Sequence, residues 1–199
     1  MPVEVGCQNR RERDSAQTVA RIPRRSLTPE EIEHCFEETF GTAFQVRLLG
    51  GFSEPFYRPP THTAVGELRY RDDHAASALH EVAHWCIAGA ARRCLPDFGY
   101  GYVAAPRSEE EQRRFLAFEV APQALEWCLA DHAGVTFHFS FDDVEDRFVD
   151  LRPAFCAAVR CRRQQLLQHG PGLRASRFAL ALSAAVEGIE AAQGIEAPQ

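Results

Sequence analysis

The chain is expected to fold as one α+β domain, rich in helix, with a small and mostly antiparallel sheet. Three observations predict this. Of its 199 residues, 45% are apolar, enough for a single sizeable core. Several long segments carry apolar residues at helical spacing behind recognisable start signals. A few short segments alternate apolar and polar residues between Gly- and Pro-rich turns, as half-buried strands do.

Taken in order, residues 1–25 are polar and aperiodic. They mix Arg10, Arg11, Arg13, Arg21, Arg24 and Arg25 with Glu12 and Asp14, and read as a flexible extension ahead of a folded domain at 26–199. Thr28-Pro29-Glu30-Glu31 supplies an N-cap, a proline at the first helical position and a capping-box glutamate. Ile32, Cys35, Phe36 and Phe40 follow at helical spacing, and Gly41 is the expected stop. Residues 43–49 read as a strand closed by Gly50-Gly51. Pro55, Pro59 and Pro60 make the next stretch a loop, and residues 66–71 alternate as a second strand. A helix is expected over 73–92, and Tyr102 and Val103 suggest a third strand. Ser108-Glu109-Glu110-Glu111 is a second capping box, opening a helix that Pro122 should interrupt and that resumes from Gln123 to His132. Residues 134–140 (GVTFHFS) alternate and read as a strand. Two helices, near 151–169 and 174–192, flank Gly170-Pro171-Gly172.

Charge narrows the function classes. The formal net charge is −6, from 22 basic and 28 acidic residues, and every basic residue is Arg. A nucleic-acid-binding surface needs a basic patch, so that role is disfavoured. Seven cysteines form no C-x-x-C pair and several fall at apolar helix positions, which suits reduced thiols. Residues 1–25 lack the apolar run of a signal peptide, and no stretch is long and apolar enough to span a membrane. A soluble, cytoplasmic protein is expected.

The chemistry is concentrated in His80-Glu81-Val82-Ala83-His84, an H-E-x-x-H pentad within an apolar helical run. Residues four apart share one helix face with Cβ atoms about 5–6 Å apart, so two imidazoles can close on one metal ion. Glu81 sits one position round the helix, where a carboxylate can serve as acid or base, or orient a ligand. Two histidines holding a catalytic metal usually take a third protein ligand. Glu119, Glu126, Asp97, Asp72, Asp73, His74 and His132 are the candidates. Glu119 is preferred because it lies between Phe118 and Val120, just before the break expected at Pro122, where an apolar setting makes a lone carboxylate costly. Glu126, seven residues on, is the reserve. These ligands alone do not name the metal. Zinc would polarise a water for peptide hydrolysis with Glu81 as base, whereas Fe(II) would leave a facial set of positions open to dioxygen.

A longer set of residues resembles the bacterial elongation factor P hydroxylase family. Ala78-Leu79 through the pentad to Trp85-Cys86-Ile87-Ala88-Gly89 carries the resemblance, with Ala91-Arg92-Arg93 and Asp97-Phe98-Gly99-Tyr100. It continues in Glu119-Val120, Pro122-Gln123-Ala124-Leu125 and Trp127, with Glu54-Pro55, Tyr57 and Pro59 upstream, and covers roughly residues 27–185. The resemblance implies a non-haem iron monooxygenase, with dioxygen as co-substrate, acting on the lysine of translation elongation factor P that already carries a lysyl-type extension. It implies His80, His84 and Glu119 as Fe(II) ligands. Glu81 would then orient an imidazole or handle protons. A substrate tip bearing ammonium groups calls for carboxylates and aromatic faces, for which Asp97, Tyr100, Glu54, Tyr57 and Tyr102 are candidates. The electron donor is not indicated, because no G-x-G-x-x-G fingerprint occurs. A zinc peptidase built on the same helix, or a non-catalytic metal-stabilised binding protein, are the alternatives.

Overall fold

A computed structural model describes residues 25–72, 74–101, 106–143 and 145–192, with side chains to 188. The expected extension, apart from Arg25, and the expected strand at Tyr102 and Val103 lie outside the described residues, as does Asp73.

The first helix, α1 (Pro29–Phe36), begins at the capping box: Glu31 N–H donates to Thr28 Oγ1 at 3.3 Å and Thr28 N–H to Glu31 Oε2 at 2.8 Å. It does not stop at Gly41. The chain continues through a π-helical turn (Glu37–Gly41) and a last turn, α2 (Thr42–Phe44), and it is Gln45, at φ +50°, that ends the run. Gly41 serves space instead, since a Cβ there would meet the Glu37 carboxylate at 2.4 Å.

Three strands follow: β1 (Val46–Phe52), β2 (Phe56–Arg58) and β3 (Gly66–Arg71). The sheet order is β1-β3-β2, with β1 and β3 parallel and β2 and β3 antiparallel. The sheet is therefore mixed rather than mostly antiparallel. The chain reverses from β1 into β2 and again from β2 into β3, so β3, inserted between them, runs against β2 and along β1. Glu33 fastens α1 to this sheet, its Oε1 accepting from Gly50 N–H and the Tyr70 hydroxyl, each at 2.9 Å.

The site helix, α3 (Ala75–Ile87), is shorter than expected but buried on most sides, through Ala78, Leu79, Val82, Ala83, His84, Trp85 and Cys86. Its Trp85 anchors the core among Phe36, Phe40 and Phe44, with centroids 5.5, 4.8 and 5.0 Å away, and Phe178 closes on Phe40 at 6.0 Å. Such edge-on and tilted pairs each add about 0.5–1.5 kcal/mol beyond area burial.

One unbroken helix, α4 (Glu109–Ala133), replaces the interrupted pair expected at Pro122. Proline removes one N–H and frees the carbonyl of Phe118. The buried run Gln123–Glu126 with Cys128, Leu129 and Ala130 holds the axis in spite of that loss. The helix ends at Gly134, φ +69°, where a Cβ would lie 2.5 Å from the Arg25 carbonyl oxygen. Residues 135–140 alternate half-buried and exposed side chains but join no ladder among the described residues, so the strand expected there does not form. The remaining helices, α5 (Arg152–His169) and α6 (Leu173–Ala192), fall at the expected boundaries and pack against α4. The six cysteines among the described residues are free, and no described helix is long and apolar enough to cross a membrane.

Candidate metal centre

Two helices build the site. From α3, His80 and His84 project from one face, their ring centroids 4.8 Å apart. From α4, the continuous axis brings Glu119, Gln123 and Glu126 onto one face at intervals of four and three residues. Where these faces meet, His80 Nε2 and His84 Nε2 are 3.1 Å apart. Glu119 reaches both, with Oε2 3.4 Å from His80 Nε2 and Oε1 3.4 Å from His84 Nε2. Ligand atoms held about 2.0–2.2 Å from one ion sit about 3.0 Å apart at right angles and about 3.5 Å apart at the tetrahedral angle. All three separations fall in that window, so the donor set fits a single metal ion.

The back of His80 is equally defined. Its Nδ1 lies 2.8 Å from Glu126 Oε2. With Nδ1 donating to that carboxylate, the Nε2 lone pair is turned toward His84 and Glu119, as metal-binding imidazoles require. Glu126, the reserve ligand of the sequence reading, thus faces the far nitrogen of His80 rather than the point where the three ligands converge.

Charge in this pocket is lopsided. Burial opposes a proton on His80, but the hydrogen bond to Glu126 and the charges of Glu119, Glu126 and Glu81 outweigh it and push its pKa up to about 10. Burial alone would raise Glu119. Its hydrogen bond with His84, the charges of His80 and His84 and the Gln123 amide prevail, holding it at about 2. Three carboxylates, Glu81, Glu119 and Glu126, thus face two imidazoles, a balance that a bound cation would offset. Burial pushes the Glu81 carboxyl up, against the two histidines and with help from Glu119 and Asp97. Glu81 has no side-chain hydrogen bond among the described residues.

Beyond the triad, the predicted residues are placed unevenly. Asp97 is within electrostatic reach of Glu81, in the turn that follows the pentad helix, and its Oδ1 accepts the Tyr57 N–H at 2.8 Å. That turn is strained: Asp97 and Phe98 both take left-handed backbone angles, φ +46° and +58°, at about 1–2 kcal/mol each. Tyr57 clamps it. Its ring stacks on Phe98 at 4.4 Å and its hydroxyl donates to the Arg93 carbonyl at 2.8 Å. Tyr57 is only 2% exposed, so its ring is a packing element with no face for a substrate. Tyr100 is half-buried, under the Arg92 guanidinium at 4.5 Å and edge-on to Phe118 at 5.8 Å. Glu54 is exposed in the turn between β1 and β2. Asp72 and His74 stand exposed before α3, and His132 is on the far end of α4, its Nδ1 2.8 Å from Ser183 Oγ. These three lie apart from the triad.

Gln123, which the sequence offered only as part of the resemblance and with no role of its own, also belongs to this site. It is 1% exposed, its Nε2 donates to the Ser140 carbonyl at 2.8 Å, and its amide also supports Glu119. Its place one turn beyond Glu119 was readable only if α4 ran through Pro122.

Comparison with known proteins bears on what this centre serves. The family model for elongation factor P hydroxylase matches residues 35–193. A curated relative from Haemophilus influenzae, named elongation factor P lysine hydroxylase, is 44% identical over 120 residues, which is 60% of this chain. The matched stretch spans 65% of that relative's length. Since the family model runs from α1 into α6 and takes in all three converging side chains, the chain belongs to the elongation factor P hydroxylase family.

Proposed function

We propose that this protein is an iron-dependent monooxygenase that hydroxylates the lysyl-extended lysine of translation elongation factor P in the cytoplasm. The convergence of His80, His84 and Glu119 on one point, in a chain of this family, carries the reading. Iron held by these three side chains would supply the activation of dioxygen that an unreactive C–H bond demands. The protein's own part is to prepare the site. Glu119 stays ionised because the histidines hold its pKa near 2. Glu126 keeps the proton on Nδ1 of His80 and so aims Nε2 inward. Glu81, protonated more readily than an ordinary carboxyl, can hand a proton in or take one out. Asp97, Tyr100 and Glu54 would supply the carboxylates and the aromatic face that an ammonium-bearing substrate calls for. Placing one oxygen atom of dioxygen into a C–H bond consumes two more electrons and two protons and releases water. Those two electrons require a donor that no motif of the chain identifies.

The test is the intact mass of lysyl-extended elongation factor P after incubation in air with iron-loaded protein. One added oxygen atom is expected, absent without iron or without air. His84→Ala should lose both stoichiometric iron and product, whereas Glu81→Gln should keep the iron and lose the product. Full activity in His84→Ala would sink the site assignment.

A further inference from the structure

Residues 135–140 are the motif that the metal centre leaves unused. They carry the alternation of a strand, with Val135, Phe137 and Phe139 turned to the core and Thr136, His138 and Ser140 exposed, yet they pair with no strand. The segment is nevertheless rigidly held. Phe137 stacks on Trp127 at 4.7 Å and Phe139 meets it edge-on at 5.7 Å. Val135 N–H donates to the Ala130 carbonyl. Two glutamines of α4, each 1% exposed, grip the other end: Gln123 both donates to and accepts from the Ser140 backbone, and Gln112 donates to the Phe141 carbonyl at 2.7 Å. Between these anchors, the N–H and C=O groups of Thr136, Phe137, His138 and Phe139 have no hydrogen-bond partner among the described residues.

Such an edge is ordinarily blunted by charge, proline, a bulge or a cover. Val135–Phe141 contains no Arg, Asp, Glu, Pro or Gly. A backbone held by half-buried side chains and left unpaired is the kind of structure that accepts an added strand. We propose that Thr136–Phe139 is a strand-addition site for an extended segment of the protein substrate. This rests on the proposed function, in that the substrate is a polypeptide. The occupant is argued from position: Gln123, whose amide holds the Ser140 backbone, stands one helical turn from Glu119 on α4, so a strand laid here ends near the metal ligands. At about 3.3 Å per residue, a side chain a few residues past the paired stretch reaches the triad. A second copy of this chain is the lesser fit. The near-palindrome Thr-Phe-His-Phe-Ser could pair with itself, but five residues bury far less than the roughly 1,200 Å² of a stable interface.

Hydrogen exchange on the full chain tests this, with and without folded, lysyl-extended elongation factor P. Two alternate amides within 136–139, those turned to the added strand, should slow at least about tenfold in the complex and exchange freely without it. A complex that leaves them unchanged overturns the proposal. So does slowing that depends on the enzyme's own concentration with no substrate present, since that marks self-pairing. His138→Pro, an exposed change outside the metal site, removes one donor from the edge. It should raise KM about tenfold or more while leaving kcat and metal affinity as they were, and an unchanged KM would count against strand addition. Product formation by the unmodified enzyme reports on the proposed function separately, so hydroxylation without amide protection refutes only the docking site. Absence of any complex removes both.

Discussion

Replacing Glu126 by Gln separates two roles of one carboxylate, and the sign of its effect depends on pH. The Glu126 Oε2 to His80 Nδ1 contact is 2.8 Å, between groups that are mostly withdrawn from water. A hydrogen bond to a charged group in that setting is worth about 1.5–3 kcal/mol, and partners that orient a metal-bound histidine typically carry 10–100-fold in metal affinity. Glu126 also acts against the metal. By helping to push His80 up to about 10, it keeps a proton on the ring at neutral pH that any metal must displace. A group whose pKa is raised on folding is favoured below its ordinary value and loses that advantage as pH rises through the raised one. Metal affinity of the unmodified protein should therefore climb about tenfold per pH unit between 6.5 and 8.5, with close to one proton released per ion bound. In Glu126→Gln the proton is held less tightly and the slope is shallower. The two proteins should bind Co(II) comparably near pH 6.5, and the variant should fall progressively behind as pH rises. Chelator competition, read by Co(II) absorbance, gives the affinities, and calorimetry in two buffers counts the protons. Equal slopes for the two proteins would refute the assignment of Glu126 to His80. Complete loss of binding in the variant would make Glu126 a ligand after all.

Other consequences can be checked on the folded protein. Gly134→Ala forces a Cβ onto a left-handed residue, at about 1–2 kcal/mol before its contact with the Arg25 carbonyl is counted, so a loss above about 2 kcal/mol is expected in urea unfolding. Phe40→Ala should cost about 3–5 kcal/mol, a fall in Tm of roughly 6–20 °C, because Phe40 is 1% exposed among four aromatic rings; a drop under about 3 °C would mean the cluster is not the core anchor. Tyr57→Phe removes the hydroxyl that donates to Arg93 and should cost about 1 kcal/mol of stability while KM for the protein substrate stays put. A tenfold rise in KM there would restore Tyr57 to the substrate site.

What could be read in advance follows from where each signal is written. Local hydrogen bonds announce themselves in adjacent residues, so the two capping boxes placed the starts of α1 and α4. Signals of termination were less dependable, because Gly41 and Pro122 have meanings that only packing decides. Gly41 makes room for Glu37 without leaving the helical angles, and Pro122 gives up a hydrogen bond that the buried face of α4 does not need. Alternation at 134–140 suggested a strand and correctly gave 135–140 a half-buried and an exposed face, but pairing depends on a neighbour elsewhere in the chain, which no local pattern contains. For the same reason the parallel pairing of β1 with β3 was not visible. At the candidate site, helical periodicity set His80 and His84 together; Glu119 is buried although its neighbour Phe118 is exposed, so its apolar flanks were not what turned it inward. Glu126 was readable as sharing that face but not as facing the rear nitrogen of His80, and Tyr57 is held by Phe98 and Arg93, forty residues away in sequence at the scale of its Asp97 contact.

The source of the added oxygen is the measurement closest to the central claim. Iron-loaded protein, an electron donor and lysyl-extended elongation factor P would be incubated under isotopically labelled dioxygen in ordinary water, and the product weighed intact. One labelled oxygen atom is expected in the modified lysine, none in His84→Ala, and none from labelled water under ordinary air. Oxygen drawn from water, or a product that forms without dioxygen or with zinc in place of iron, would contradict that claim and return the H-E-x-x-H helix to hydrolytic chemistry.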